Sequence, residues 1–178
     1  MNTDKPKNSL YIHRVALSKN PMAYTFSLER ERLGRTAVAH LKKCGYRRVT
    51  RDRCALLVDE FIDKIFATQD QKPFFHIESE LPYCWNAPKD WGKDFIVYEW
   101  GHLRSRNQNN NPYQIDNLCL QSARCNQHIQ TSMDIKEVLK WLDGSRVADR
   151  INYVLNKREL LFASDEWKQL VIKLDQYK

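Results

Sequence analysis

The sequence predicts an α+β fold, mostly helical, with one small β element embedded between N-terminal and C-terminal helices. Three observations predict it. Apolar residues recur at helical spacing in successive segments toward both ends of the chain. Near the middle, the run Phe95-Ile96-Val97-Tyr98-Glu99-Trp100 concentrates β-branched and aromatic residues, which suit a pleated, half-buried surface. With 178 residues, 42% of them hydrophobic, the chain can close one core. A single domain is expected, with a basic helical part over 1–94, the β-bearing part over 95–131 and helices over 132–178.

The first helix is read from SLERERLGRTAVAHLKKCG, with Ser27 as N-cap and Gly45 just past its end. A second is opened by Thr50 or Asp52 and carries Cys54, Val58, Phe61, Ile62 and Ile65 on one face. The apolar pair Phe74-Phe75 reads as a short strand, and the run ending at Trp100 as a better one. Asp134 with Glu137 forms a capping pair ahead of Val138-Leu139-Lys140-Trp141, and Gly144 stops that helix. Ser145 starts a further helix with Val147, Ile151, Val154 and Leu161 on one side. Ser164, followed by Asp165 and Glu166, starts the last, with Trp167, Leu170, Val171 and Leu174 inward.

No apolar run approaches the roughly 18 residues of a membrane span, and the N-terminus lacks the layout of a secretory signal. A cytoplasmic protein without a membrane partner is expected. The cysteines number five (Cys44, Cys54, Cys84, Cys119, Cys125), an odd count without a C-x-x-C pair, which reads as reduced thiols. Net charge is +7. Arg30, Arg32, Arg35, Lys42, Lys43, Arg47, Arg48, Arg51 and Arg53 crowd one section around Tyr46, with Glu29, Glu31 and Asp52 to offset them. Such a run is a solvated helix face or a phosphate-tracking surface, and its sign favours a polyanionic partner.

The segment from Tyr98 to Gln127 carries the chemistry. A strand ends on Gly101-His102, an asparagine-rich loop follows, Asn117-Leu118 opens a return strand, and Asn126 lies on a short helix that starts near Ser122. Three polar side chains far apart in sequence can then converge on one spot. This order resembles the HNH, or ββα-metal, endonucleases over about residues 95–130. The position of the family's general base is matched by His102, and its central asparagine, usually followed by leucine, by Asn117. Its third position falls nine residues beyond the central one, on Asn126. Family members with a zinc ribbon carry C-x-x-C before that residue. Here Ser122-Ala123-Arg124-Cys125 stands there, so no structural zinc is expected.

The resemblance implies a metal-dependent phosphodiester hydrolase. His102 would activate water, as a neutral imidazole can near pH 7. Asn126 would offer a hard oxygen to Mg2+ or Mn2+, and Asn117 would hold the loop and so position the histidine. Many members place a second metal ligand just before the base, where this chain has Gly101. A D-R-G-H branch also has glycine there, and Glu99-Trp100-Gly101-His102 is similar to it. Glu99 shares the face of position 101 but sits about 6–7 Å back along the strand, so it is a candidate ligand through water. His128 is the rival of Asn126. The two are about 200° apart on a helix, so one of them faces the site.

The other histidines, His13, His40 and His76, have no partners at ligand spacing and read as structural, and Trp100 reads as core. Arg104 and Arg106, in the loop after His102, extend the basic surface of Lys42, Lys43, Arg47, Arg48, Arg51 and Arg53 to the site. The expected function is a DNA endonuclease, double-stranded DNA being favoured as substrate, in a restriction, phage or mobile-element setting. A homodimer is implied by analogy alone. The alternative is a basic nucleic-acid-binding protein with a decayed nuclease fold.

Overall fold

A computed structural model describes residues 21–76, 98–106 and 111–178. Its elements run α1 (Pro21–Lys43), α2 (Ala55–Ala67), β1 (Tyr98–His102), β2 (Leu118–Ser122), α3 (Ala123–Cys125) continuing as a π turn (Asn126–Gln130), α4 (Ile135–Trp141), α5 (Arg146–Ala163) and α6 (Asp165–Asp175). The mixed, mostly helical class agrees with the sequence. No helix among the described residues is long and apolar enough to cross a membrane.

Most helix ends follow their local signals. Gly45, at φ 102°, closes α1 with Tyr46 N donating to Leu41 O at 3.0 Å and Gly45 N to Lys42 O at 3.1 Å, the bond pair of a Schellman ending. Ser145 and Ser164 accept from Ala148 N and Trp167 N as N-caps of α5 and α6. Glu137 accepts from Asp134 N at 2.7 Å, completing the capping box of α4.

Four expectations need correction. Helix α2 starts at Ala55 with Cys54 at its N-cap, so neither Thr50 nor Asp52 opens it; Thr50 Oγ1 accepts from Arg53 N at 3.3 Å in the turn before it. Helix α1 begins at Pro21, so Ser27 lies inside it; proline at the first helical position lacks only an N–H that would be orphaned anyway. Phe74 and Phe75 are fully buried in turns, not a strand, and Phe74 N donates to Leu120 O at 2.9 Å, which covers the outer edge of β2. Cys44, Cys54 and Cys119 are free, but Cys125 is disulfide-bonded, so not every thiol is reduced. Residues 95–97 of the β run, His13 and Cys84 lie outside the described residues.

The two antiparallel strands pair Tyr98 with Ser122 through His102 with Leu118, and the hairpin divides two cores. Leu118 and Leu120 join a core built by α1, α2 and α6, around Leu33, Leu41, Phe61, Ile65 and Leu170. Cys119, one residue out of phase, joins the other, with Phe74, Phe75, Ile129, Val138, Ile151 and Val154. All five residues of β2 are buried, as a strand covered on both faces requires. The free edge of β1 is blunted by side chains rather than by a third strand. Glu29 accepts from Tyr98 N at 2.7 Å, Arg32 donates to Tyr98 O, and Gln130 donates to His102 O.

Candidate active site

His102 ends β1 and Asn126 opens the π turn after β2. Both line one pocket of about 310 Å3, together with Trp100, Ser105, Arg106, Gln127 and Gln130. They reach it from different faces of the hairpin. Glu99 and Gly101 point toward Asn126, whereas His102, like Trp100, points toward α1.

The turn that presents Asn126 is unusual. Thr131 N donates to Asn126 O at 3.0 Å, a bond across five residues that widens the helix by one position. Such π turns are frequent at functional sites. It ends on Thr131 at φ 50°, a β-branched residue in a region that favours glycine, so backbone strain sits on the pocket rim. His128 also lies on this turn, and its side chain falls outside what the structure describes.

Asn117 is fully buried at the base of the loop. Its Oδ1 accepts from Arg104 N at 2.7 Å, and its Nδ2 donates to Arg104 O at 3.1 Å and to Pro112 O at 2.8 Å. One amide thus ties both ends of the loop that follows His102, and Leu103 N donates to Asn117 O at 3.0 Å beside it.

The place of Gly101 is filled from β2. A Cβ there would lie 2.3 Å from Gln121 Nε2, 2.8 Å from Gln121 Cδ and 3.2 Å from Asn126 Oδ1. A side chain at 101 would therefore aim at Asn126, but the Gln121 amide occupies the space. Gln121 is fully buried, donates to Gln130 Oε1, and its Oε1 has no partner. Glu99 lies nearer Asn126 than strand spacing alone indicated. Its carboxylate accepts from Asn126 Nδ2 at 3.0 Å and from Gln127 Nε2 at 2.9 Å. The Asn126 and Glu99 oxygens and the orphaned Gln121 oxygen are hard donors, which suit Mg2+ or Mn2+. Among the described residues no group of three or more His, Cys, Asp or Glu side chains could hold a metal.

His102 has a partner that its sequence surroundings did not announce. Its Nε2 lies 3.3 Å from His40 Nδ1, and His40 Nε2 lies 3.1 Å from Gln114 O. His40 is buried in the last turn of α1, and Tyr113 packs against both rings. Burial pushes the His102 imidazole down to about 4, helped by His40, Arg106 and Lys43. Burial likewise lowers His40, with Lys43 adding to the effect and the Gln114 carbonyl opposing it. Both rings are therefore neutral at pH 7.

The basic residues divide into two groups. Arg51 pairs with Glu31 at 3.0 Å and Asp59 at 2.8 Å, and Arg48 donates to the carbonyls of Gln176 and Lys178. Arg104 pairs with Asp116 at 2.7 Å and Gln114 at 2.8 Å. It lines a separate cleft of about 730 Å3 with Leu103, Asp134, Arg158 and Phe162, which His102 does not line. Lys42, Lys43, Arg47, Arg53 and Arg106 are exposed, and none has an ion pair among the described residues. Lys43 sits 5.0 Å from the Tyr113 ring centre and Arg106 lines the pocket.

Compared with known proteins, the chain matches no family model, no curated protein and no solved structure.

Proposed function

We propose that the protein is a metal-dependent endonuclease of the HNH type, acting on DNA. The observation that carries this reading is the convergence of His102, from the end of one strand, and Asn126, from the helical turn after the next, on a single pocket. The Asn117 amide supports it by fixing the intervening loop as a positioning asparagine would.

In this mechanism His102 accepts a proton from a water that attacks phosphorus. A ring held neutral by burial and flanking cations is unprotonated at the start of every turnover. Asn126 would hold the metal through its amide oxygen, with Glu99 as the nearest carboxylate. When bound there, a divalent cation supplies Lewis-acid stabilisation to the phosphate and to the departing oxygen. Arg106, exposed on the same pocket, offsets phosphate charge. Arg104 is already neutralised by Asp116 and is a weaker choice for that role. Exposed Lys42, Lys43, Arg47 and Arg53 would track the backbone beyond the site.

A second reading is favoured by one specific observation: Gln121 fills the place where a second ligand would stand beside Asn126. On that reading the fold binds nucleic acid without cutting it. Incubating the protein with a mixed pool of DNA and RNA substrates, with Mg2+, with Mn2+ or with chelator, and sequencing the fragment ends separates the two. Metal-dependent ends on DNA support the nuclease. Salt-sensitive binding with no new ends in any metal supports the second reading.

A further inference from the structure

The His40–His102 contact has a directionality that follows from its third member. The Gln114 carbonyl is an acceptor only, so the nitrogen 3.1 Å from it, His40 Nε2, must carry hydrogen. A neutral imidazole carries one such hydrogen, which leaves His40 Nδ1 with a lone pair. That lone pair faces His102 Nε2 at 3.3 Å, so His102 donates from Nε2. By the same count His102 Nδ1 is bare. The opposite arrangement would set the His40 Nε2 lone pair against a carbonyl oxygen in a buried site, at the cost of an unmade hydrogen bond. A charge on either ring is opposed by burial and by Lys43, with Arg106 adding to this at His102, which leaves two neutral rings in a relay that satisfies the Gln114 carbonyl, both His40 nitrogens and His102 Nε2.

We propose that His40 is a positioning residue for His102: through the chain Gln114 O, His40, His102 it orients the ring and leaves Nδ1 of His102 as the nitrogen that takes up a proton. A catalytic histidine needs its second nitrogen fixed by a partner, because the partner decides which nitrogen is basic and where it points. Here that partner is a side chain supplied by α1, 62 residues away in sequence. The catalytic consequence rests on the nuclease reading, whereas the relay itself does not.

Nitrogen-15 spectra of the histidine-labelled full chain at pH 7 test the relay without any activity. The expected result is a His102 with protonated Nε2 and unprotonated Nδ1, and an Nε2 proton protected enough from exchange to be observed. In His40→Leu that proton should be lost to exchange. In His40→Gln it should return, because a glutamine can donate to Gln114 O and accept from His102 at once. A proton found on His102 Nδ1, or an Nε2 proton indifferent to His40→Leu, overturns the relay. So does stoichiometric Zn2+ shifting both rings, since 3.3 Å also suits two imidazoles on one zinc at about 2.0–2.1 Å each. Cleavage by the same variants tests the catalytic consequence. His40→Leu should lower kcat about tenfold with KM little changed, and His40→Gln should restore most of it. An unchanged kcat in His40→Leu refutes the positioning role, while absence of cleavage in the unsubstituted protein refutes the nuclease reading and leaves the spectra to judge the relay.

Discussion

Asn117 and Arg104 exchange two hydrogen bonds, side-chain amide to peptide: Oδ1 accepts from Arg104 N and Nδ2 donates to Arg104 O. The asparagine thereby acts as a strand neighbour for one residue of the loop, and its remaining Nδ2 hydrogen reaches Pro112 O. Replacing it with alanine leaves an N–H and two carbonyls short of partners in a part-buried place. At about 1–3 kcal/mol for a group left unsatisfied, Asn117→Ala should lower stability by roughly 3 kcal/mol in urea unfolding. Asn117→Asp should be comparably costly, since a carboxylate cannot donate to the two carbonyls. An aspartate variant as stable as the unsubstituted protein would show that the donor side is dispensable.

Gly101 is predicted to tolerate nothing larger while Gln121 is present. Gly101→Ala forces the Gln121 amide away from Gln130 and should cost about 1–3 kcal/mol, as overpacking does. In a Gln121→Ala background the same change should cost less, about 0.5 kcal/mol, because the two atoms nearer than 3.0 Å are gone and only Asn126 Oδ1, at 3.2 Å, has to give. A double-mutant cycle read by chemical denaturation checks this, and additive costs would mean that the clash lies elsewhere.

The neutral histidines make stability depend on pH with a definite sign. Folding lowers the His102 value from 6.5 to about 4, so between those values the unfolded chain binds more protons. Stability from this group is therefore fully present above about pH 6.5 and is lost as pH falls toward 4; His40 shifts in the same direction. His102→Gln should flatten the plot of stability against pH over that window. Parallel plots for variant and parent would contradict the assignment. The acid limb of cleavage due to the base should likewise lie well below pH 6.

Salt dependence separates free cations from paired ones. Arg47→Ala and Arg53→Ala should each reduce the slope of log affinity for DNA against log salt by about one. Arg51→Ala should leave the slope unchanged and lower stability instead, because its charge is spent on Glu31 and Asp59. Equal effects on the slope from all three would mean that the ion pairs open on binding.

What the sequence made legible was local. Ser145, Ser164, Asp134 with Glu137 and Gly45 mark helix ends through bonds to neighbours within a turn or so, Gly144 marks one by its positive φ, and the strand ending at His102 follows from its β-branched and aromatic run. What it hid was set by distance along the chain. His40 gave no sign because its partner is brought to it by the packing of α1 on the hairpin. The acids that neutralise Arg30 and Arg51, Asp59 and Asp63, come from the facing helix α2. Phe74-Phe75 was misread because a two-residue apolar run is equally suited to a strand and to a buried turn. Gln121 escaped notice because a polar residue in a strand reads as solvent-facing, whereas β2 is covered on both sides.

Cleavage of supercoiled plasmid by the purified chain is the most direct test of His102 and Asn126 acting together on a phosphodiester. The account predicts nicking that requires Mg2+ or Mn2+, stops with chelator, and is abolished by His102→Ala and by Asn126→Ala, with both variants folded by circular dichroism. Intact plasmid at every metal concentration, or undiminished nicking by folded His102→Ala, would contradict it.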